Sequence, residues 1–381
     1  MAALAIAGIA VPAASASAAT TTARPAPASA AHRTGPAVGP AVFVMTDNTA
    51  GNAVVAYRRA PSGTLALAGT YSTGGLGGVL SGSVVDHTAS EGALAYDREH
   101  GLLFAVNPGS DTVSVFRVLG DRLELSQVVW SGGVFPVSVA VHGNTAYVLN
   151  ALGGGTLSGY RISGFGSVSP IPGSSRRLGL GTTAATAFTG TPGQVTFSPD
   201  GRSVLVTTKA ATNAVDVFGV NWDGTLSAAP TVNTLAGDVP FAVAYDRNGD
   251  VVLAEAGPNA VATFTLGSSG VLTQLAVADT GQMATCWIAG DGRYFYASNA
   301  GSGSVSGYSV GSSGALTAHG NTATDAGTVD ATGAGHGRFL YVQTGKAGIV
   351  DEFAVGAGGA LTPLGSVTVP NSAGGEGIAS A

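Results

Sequence analysis

The sequence predicts an all-β fold, a seven-bladed β-propeller, and three observations carry that prediction. An apolar residue followed three positions later by an aromatic recurs seven times along the chain. Successive aromatics lie 44 to 59 residues apart, the length of one four-stranded blade. Glycine accounts for 59 of the 381 residues, without the regular period of a collagen. Many short strands joined by tight turns fit this composition.

Each repeat contains the same landmarks in the same order. The apolar–aromatic pairs are Val54/Tyr57, Val113/Phe116, Leu157/Tyr160, Val215/Phe218, Val261/Phe264, Val305/Tyr308 and Val350/Phe353. A second apolar anchor follows each aromatic, at Leu65, Leu123, Val168, Leu226, Leu272, Leu316 and Leu361. The second repeat divides into strands at Gly92–Asp97, Leu102–Asn107, Thr112–Val118 and Leu123–Val129. Alternation of apolar residues in these segments has the period of two that a pleated strand requires.

The two ends of the chain are predicted to share one blade. The first repeat lacks an opening strand, since its pattern begins at Val42. Near the other terminus, the segment 376–379 reads Glu-Gly-Ile-Ala and resembles Glu-Gly-Ala-Leu at 91–94, which opens the second repeat. We therefore expect the C-terminal strand to pair into the first blade and close the ring, which removes an exposed sheet edge.

Three regions are predicted along the chain. Residues 1–18 have an apolar run and small-residue cleavage sites, so they are interpreted as a signal peptide, although no basic residue precedes Arg24. Residues 19–40 are rich in Ala, Thr and Pro and are interpreted as a disordered linker. Residues 41–381 form the propeller. A secreted, extracellular protein without a membrane span is expected.

The charge and cysteine content exclude several classes of function. Only 10% of residues are charged, the net charge is −6, and the basic residues are scattered, which argues against nucleic-acid binding. The single cysteine, Cys286, allows no internal disulfide and is interpreted as a buried apolar side chain. We expect no cofactor and no metal, and we expect a monomer. The expected partner is a small molecule, a carbohydrate or another protein.

The topology of a blade decides which loops share a face. Turns between strands one and two, and between three and four, form one face, here called the hairpin face. Turns between strands two and three, and the crossovers between blades, form the opposite crossover face. Two crossovers are long, roughly Ser72–Ser90 and Ile171–Pro192, and both belong to the crossover face. Because long loops on a rigid scaffold often carry binding residues, the site is predicted there.

Charged residues near the axis of the crossover face are the candidate site residues. A charge beside the axis is costly to desolvate, so its presence suggests ligand contact or an ion pair within the rim. Candidate ligand-binding residues are Glu91, Asp330 and Glu376 at the openings of first strands, together with Asp86 and His87 in the first long crossover. Lys209 and Glu255 are expected at the ends of second strands on the same rim.

Two segments resemble the lactonase family of propellers, which includes propeller-type 6-phosphogluconolactonases and carboxymuconate cyclases and shares YVTN-type repeats with non-enzymatic propellers. They are Gln194–Arg202 and the stretch from Tyr296 to Tyr308. The resemblance implies a catalytic role for Lys209 and Glu255, which match family positions. The family's histidine is replaced within 191–193, and its Gly-Pro-Arg-His stretch reads Asp-Val-Pro-Phe at 238–241. Without that arginine, a phosphorylated substrate would lack its bidentate anchor.

Three functions remain open on the sequence. A secreted hydrolase of lactone-type substrates would use Glu255 as base and Lys209 to stabilise the oxyanion. A non-catalytic propeller would present one face to a ligand or partner. A structural protein of the cell envelope would need neither catalytic residues nor a ligand-binding face. The polar residues that converge near the axis discriminate between these hypotheses.

Overall fold

A computed structural model describes residues 39–381 as seven antiparallel sheets arranged in a ring. The predicted signal peptide and all of the predicted linker except Gly39 and Pro40 lie outside the described residues. Each sheet has four main strands in sequence order, except that the first blade takes its opening strand from the C-terminus. The predicted seven-bladed propeller is therefore confirmed.

The strands follow the predicted repeats. Blades 1 to 3 contain β1 (Ala41–Met45), β2 (Ala53–Arg59), β3 (Leu65–Ser72), β4 (Leu94–Asp97), β5 (Leu102–Asn107), β6 (Thr112–Leu119), β7 (Arg122–Trp130), β8 (Val134–His142), β9 (Thr145–Leu152), β10 (Thr156–Ile162), β11 (Val168–Pro170) and β12 (Arg176–Arg177). Blades 4 and 5 contain β13 (Val195–Phe197), β14 (Ser203–Thr207), β15 (Ala214–Gly219), β16 (Thr231–Thr234), β17 (Pro240–Tyr245), β18 (Val251–Glu255), β19 (Ala260–Leu266) and β20 (Leu272–Asp279). Blades 6 and 7 contain β21 (Thr285–Gly290), β22 (Tyr294–Asn299), β23 (Ser304–Val310), β24 (Leu316–Ala323), β25 (Thr328–Ala334), β26 (Phe339–Thr344), β27 (Ile349–Val355) and β28 (Leu361–Thr368), and β29 (Ile378–Ser380) completes blade 1.

Helical structure within residues 39–381 is confined to short segments. One α-helical turn, α1, spans Ala187–Gly190. Three 3₁₀ turns occupy Pro108–Ser110, Ala184–Thr186 and Ala357–Gly359. In this part of the chain, no helix has the length and apolar character needed to cross a bilayer.

The ring closes as the sequence predicted. Strand β29 pairs antiparallel with β1, with Ile378 opposite Val44 and Ser380 opposite Val42. The innermost strands also contact one another around the axis, with β29 between β25 of blade 7 and β4 of blade 2. The last strand therefore stabilises blade 1 and both of its neighbours.

The recurring aromatics lie in the third strand of each blade and are at most 2% exposed. Where the aromatic is tyrosine, its hydroxyl donates to a carbonyl in the outer strand of the preceding blade. Tyr57 donates to Thr368, Tyr160 to Trp130 and Tyr308 to Asp279. The repeat thus supplies both the apolar core between blades and hydrogen bonds that join them.

The second long crossover begins after β11, as predicted, but a short strand interrupts it. Residues Arg176–Arg177 pair with β10 and continue the outer edge of blade 3 beyond β11. Arg176 donates to the carbonyls of Leu226 and Ser227 in blade 4, which explains why this edge resumes after an interruption. The predicted start of the loop at Ile171 therefore agrees with the end of β11 at Pro170, and the two-residue strand β12 within the loop is the feature that the prediction missed.

Candidate functional site

A groove of about 630 Å³ lies on the crossover face beside blades 6 and 7. Both long crossovers contribute to its wall, the first through Val84 and Val85 and the second through Phe188 of α1. Blade 6 supplies Cys286 and Trp287 from β21. The groove is also lined by Ala284, 300–303, Thr324, Ala326, Gly327 and Lys346. Its lining is mainly apolar, with polar groups at a few positions.

The first long crossover lies beside the groove, and the side chain of Asp86 stabilises a turn within it. The buried Asp86 carboxylate accepts hydrogen bonds from the backbone N–H groups of Thr88 and Ser90 and from the Thr88 hydroxyl, each 2.8 Å long. A short acidic side chain commonly holds such a turn by bonding the backbone ahead of it. Burial raises the pKa of Asp86, although these three donors favour its ionised form. Asp86 therefore shapes the crossover.

Lys209 joins the two long crossovers. It lies two residues beyond β14, and its Nζ donates to the carbonyls of Ala89 at 2.6 Å and Phe188 at 2.9 Å, and to the Thr191 hydroxyl at 3.1 Å. An ammonium group has three donors, so this set occupies all of them. Burial lowers the pKa of Lys209 to about 7. Its ammonium group is committed to the protein's own loops.

Trp287 provides a second anchor for the first crossover. Its Nε1 donates to the carbonyl of Ser90 at 2.7 Å. Its ring packs against Phe241, with centroids 5.1 Å apart. Because Trp287 also lines the groove, the position of this crossover and the shape of the groove depend on the same side chain.

Three carboxyl groups from adjacent blades meet near the axis. Oxygens of Glu91, Asp330 and Glu376 all lie within 4.8 Å of one another. Burial raises the pKa of Glu91 and Glu376 well above the ordinary value, and the neighbouring Asp330 raises both further. Burial likewise raises the pKa of Asp330 to about 6. The cluster therefore retains protons near neutral pH, because like charges so close together cannot all ionise.

Backbone N–H groups already occupy much of this cluster. Glu376 Oε1 accepts from Gly92 at 3.0 Å and Ala93 at 3.4 Å. The two Asp330 oxygens accept from Ala331 at 2.6 Å and Ile378 at 2.9 Å. Three carboxylates are suitable ligands for a hard cation. However, the Glu376 and Asp330 oxygens accept from backbone donors just before β4, in β25 and in β29, which indicates a role in joining the closing strand to blades 2 and 7.

His87 ties the first crossover to the C-terminal segment. Its backbone N–H donates to the carbonyl of Gly374 at 2.8 Å, and its Nδ1 lies 3.4 Å from Asp47 Oδ2. Any side chain at position 374 would overlap the imidazole, because a Cβ there would come within 2.0 Å of it. Burial raises the pKa of Asp47 to about 7, and contact with Asp47 raises the pKa of His87. The two groups form a partly charged pair under the crossover.

Glu255 lies apart from this network. It is the last residue of β18, is 2% exposed, and makes no side-chain hydrogen bond to any residue in 39–381. Burial raises its pKa to about 7, and nearby Asp238 raises it further. Its side chain does not line the groove, and Lys209 is directed toward the crossovers instead. The structure thus brings together Asp86, His87, Glu91, Asp330 and Glu376 but does not pair Glu255 with Lys209.

Sequence reasoning missed Asp47 and the aromatic wall of the groove. Asp47 lies two residues beyond β1, as Lys209 lies two residues beyond β14, and both have φ of 48°. Asp47 therefore has the same position after a second strand that marked Lys209 as a candidate. Nothing in the sequence marked Phe188 or Trp287, because the fold of the two long crossovers decides that they line a groove.

A model of the lactonase family, described as a seven-bladed β-propeller, matches residues 78–374, well over half of the chain. The chain belongs to this family. A search of curated proteins found no match.

Solved structures share this lactonase-family fold at low sequence identity. A candidate 6-phosphogluconolactonase from Bacteroides fragilis is 18% identical, with a TM-score of 0.70 over 91% of this chain and 98% of that one. The periplasmic gluconolactonase of Pseudomonas aeruginosa is 18% identical, with a TM-score of 0.69 over 90% and 98%. Virginiamycin B lyase from Staphylococcus aureus is more distant, at 12% identity and a TM-score of 0.52 over 76% and 87%.

Proposed function

We propose that this lactonase-family propeller binds a small, mainly apolar molecule in the groove on its crossover face. The observation that carries the proposal is the groove itself, about 630 Å³ in volume and walled by Val84, Val85, Phe188 and Trp287. That volume falls within the range of about 300–1,000 Å³ typical of small-molecule sites. Both long crossovers build it, as expected of loops that carry function on a rigid scaffold.

Binding is favoured over catalysis because the expected catalytic pair is not assembled. Hydrolysis of a lactone needs an activated water and a donor for the developing oxyanion. Lys209 uses its donors on Ala89, Phe188 and Thr191. Two of the similar structures are named for gluconolactones, which are polar, whereas this groove offers mostly apolar contacts.

Lactone hydrolysis with Glu255 as general base is the second candidate function. A carboxyl group with a pKa raised to about 7, and without a side-chain hydrogen bond in the described residues, is suited to accept a proton near neutral pH. Hydrolysis of any lactone by the purified protein, abolished by Glu255→Gln, supports this candidate. Hydrolysis that is unchanged by the substitution removes Glu255 from the reaction.

Trp287 provides a direct test of the groove. The chain has three tryptophans, and Trp130 and Trp222 are 66% and 98% exposed, so W130F/W222F leaves Trp287 as the only tryptophan at little structural cost. We expect γ-decalactone, an apolar probe, to change its emission saturably, and glucono-δ-lactone to have little effect. Val84→Asp, at a position 79% exposed, should weaken binding of γ-decalactone.

The matched control is Val232→Asp in the outer strand of blade 4, at a position 57% exposed and away from the groove. It should leave binding unchanged. A flat emission signal with γ-decalactone, or equal binding by both aspartate variants, contradicts the proposal. Binding without hydrolysis distinguishes the first candidate function from the second.

We also propose that the protein is exported. The support is the apolar segment with small-residue cleavage sites at the start of the chain. Expression of the full chain in a bacterial host should yield mature protein outside the cytoplasm, with an N-terminus near residue 19. Recovery of uncleaved protein in the cytoplasm alone contradicts this proposal.

A further inference from the structure

A second cavity, of about 660 Å³, opens on the hairpin face where blades 6, 7, 1 and 2 meet. Arg59 reaches it from the end of β2, and Arg98 from the turn after β4. His336 and Arg338 come from the turn between β25 and β26, and Asp291 from the turn between β21 and β22. This cavity thus collects basic side chains from three blades.

The positive charge in this cavity is not neutralised by acidic side chains. Within residues 39–381, none of the guanidinium groups of Arg59, Arg98 and Arg338 forms an ion pair. Arg59 Nε is buried without a hydrogen-bond partner among these residues. The preceding segment, 1–38, contains no Asp or Glu that could pair with them. Three arginines around one opening therefore make this part of the surface locally basic in a protein with a net charge of −6.

Aromatic packing holds two of these guanidinium groups in place. Arg59 and Arg338 lie over the ring of the buried Phe339, at 5.3 and 5.4 Å from its centroid. Arg338 Nε also donates to the Gly335 carbonyl at 3.0 Å. A Cβ at Gly335 would lie 3.4 Å from Arg59 Nη1, so Arg59 extends from blade 1 onto the turn of blade 7. Stacked guanidinium groups keep their edge donors available and lose little freedom on binding.

Asp291 is the acidic side chain that lines the cavity, and one of its oxygens holds its own turn. Asp291 Oδ1 accepts hydrogen bonds from the backbone N–H groups of Arg293 and Tyr294, both 2.8 Å long. It therefore holds its own turn while lowering the positive potential of the cavity. Arginine recognises phosphate and carboxylate oxygens through paired, charge-assisted hydrogen bonds.

We propose that the hairpin-face cavity binds a compact multivalent oxyanion, held by Arg59, Arg98 and Arg338. This site is separate from the groove of the crossover face and does not depend on the function proposed for it. The ligand carries at least two phosphate or carboxylate groups, because the arginines converge from different blades around one opening.

Calorimetric titration of the purified protein at low ionic strength tests the proposal, with inorganic pyrophosphate and citrate as separate probes. We expect saturable binding of at least one, and the tighter probe identifies the phosphate or carboxylate class. R59A/R338A should weaken binding at least about tenfold, as expected for loss of charge-assisted contacts. R122A/R247A is the matched control, because it removes two exposed arginines of the same face outside the cavity.

Asp291→Asn gives a test that does not rely on loss of binding. Asparagine can still accept the two backbone hydrogen bonds through its side-chain oxygen, but it removes the negative charge, so affinity should rise. The proposal is overturned if neither pyrophosphate nor citrate binds. The proposal is also overturned if R59A/R338A and R122A/R247A weaken binding equally. Such a result would show that binding depends on the net charge of the protein and not on this cavity.

Discussion

The Nζ of Lys209 lies 2.6 Å from the carbonyl oxygen of Ala89, and this contact joins blade 4 to the first long crossover. The same Nζ binds the Phe188 carbonyl of the second crossover. The lysine for which the family resemblance implied a catalytic role here holds together the loops of the crossover face. The groove beside it exists because these two loops are held together.

Lys209→Met should loosen both crossovers. Methionine fills a similar volume but leaves the Ala89 and Phe188 carbonyls unpaired, at about 1–3 kcal/mol for each buried group. Hydrogen exchange of the amides in 86–92 should accelerate at least about tenfold. Lys346→Met is the control, because Lys346 is the other lysine of the chain and is exposed. Unchanged exchange in the Lys209 variant would show that the ammonium does not hold the loop.

Glu376→Gln should stabilise the protein at alkaline pH and have little effect at acid pH. Burial raises the pKa of Glu376 above its ordinary value. As the pH rises, the unfolded chain therefore loses this proton at a lower pH than the folded state does. Its contribution to the free energy of unfolding is complete below about pH 4 and falls as the pH rises toward the folded pKa, by about 1.4 kcal/mol per unit. Glutamine does not titrate, so this decline disappears.

Melting temperatures of the native protein and Glu376→Gln at pH 4 and pH 8 measure this effect. Glu124→Gln, on the exposed side of β7, is the control and should change neither value. The electrostatic interpretation of the cluster fails if Glu376→Gln lowers the melting temperature equally at both pH values.

Ile378→Ala should weaken ring closure. Ile378 is 4% exposed and packs in the core shared by blades 1 and 7, so the cavity left behind should cost about 2–5 kcal/mol in the free energy of unfolding. Leu67→Ala, at a position 60% exposed, should cost less than about 0.5 kcal/mol. Urea unfolding measures the free energy of unfolding of both variants.

Deletion of the residues after Pro370 removes β29 entirely and should destabilise the protein more than either substitution. An unaltered unfolding transition contradicts closure of the ring by this strand.

Tyr57→Phe should remove one hydrogen bond between blades 1 and 7. The hydroxyl donates to the Thr368 carbonyl at 2.9 Å, and its loss should cost about 0.5–1.5 kcal/mol. Phenylalanine already occupies the equivalent position in blades 2, 4, 5 and 7, so the core accepts this side chain. Tyr71→Phe on β3, whose hydroxyl makes no hydrogen bond within 39–381, is the control. Equal unfolding free energies for the two variants would assign no stabilising role to the Tyr57 hydroxyl.

Much of the candidate site could be anticipated, but its organisation could not. The repeat placed Glu91 and Glu376 at equivalent openings of strand one, and the topology placed Asp330 beside them. That these three carboxyl groups lie within 4.8 Å follows only from the ring. The partners of Lys209 are backbone carbonyls of irregular loops, and no periodic pattern specifies where such loops fold.

The sequence by itself determined the number of blades, their strands and the closing strand, because an alternating apolar pattern repeated seven times can bury its faces only by stacking sheets on sheets. The tertiary structure alone decided which charged groups became buried partners and which remained available. Burial and proximity set the pKa values of Lys209 and the carboxyl cluster, and both depend on distances between residues far apart in the chain. For the same reason, only the folded ring reveals the apolar groove on one face and the unpaired arginines on the other.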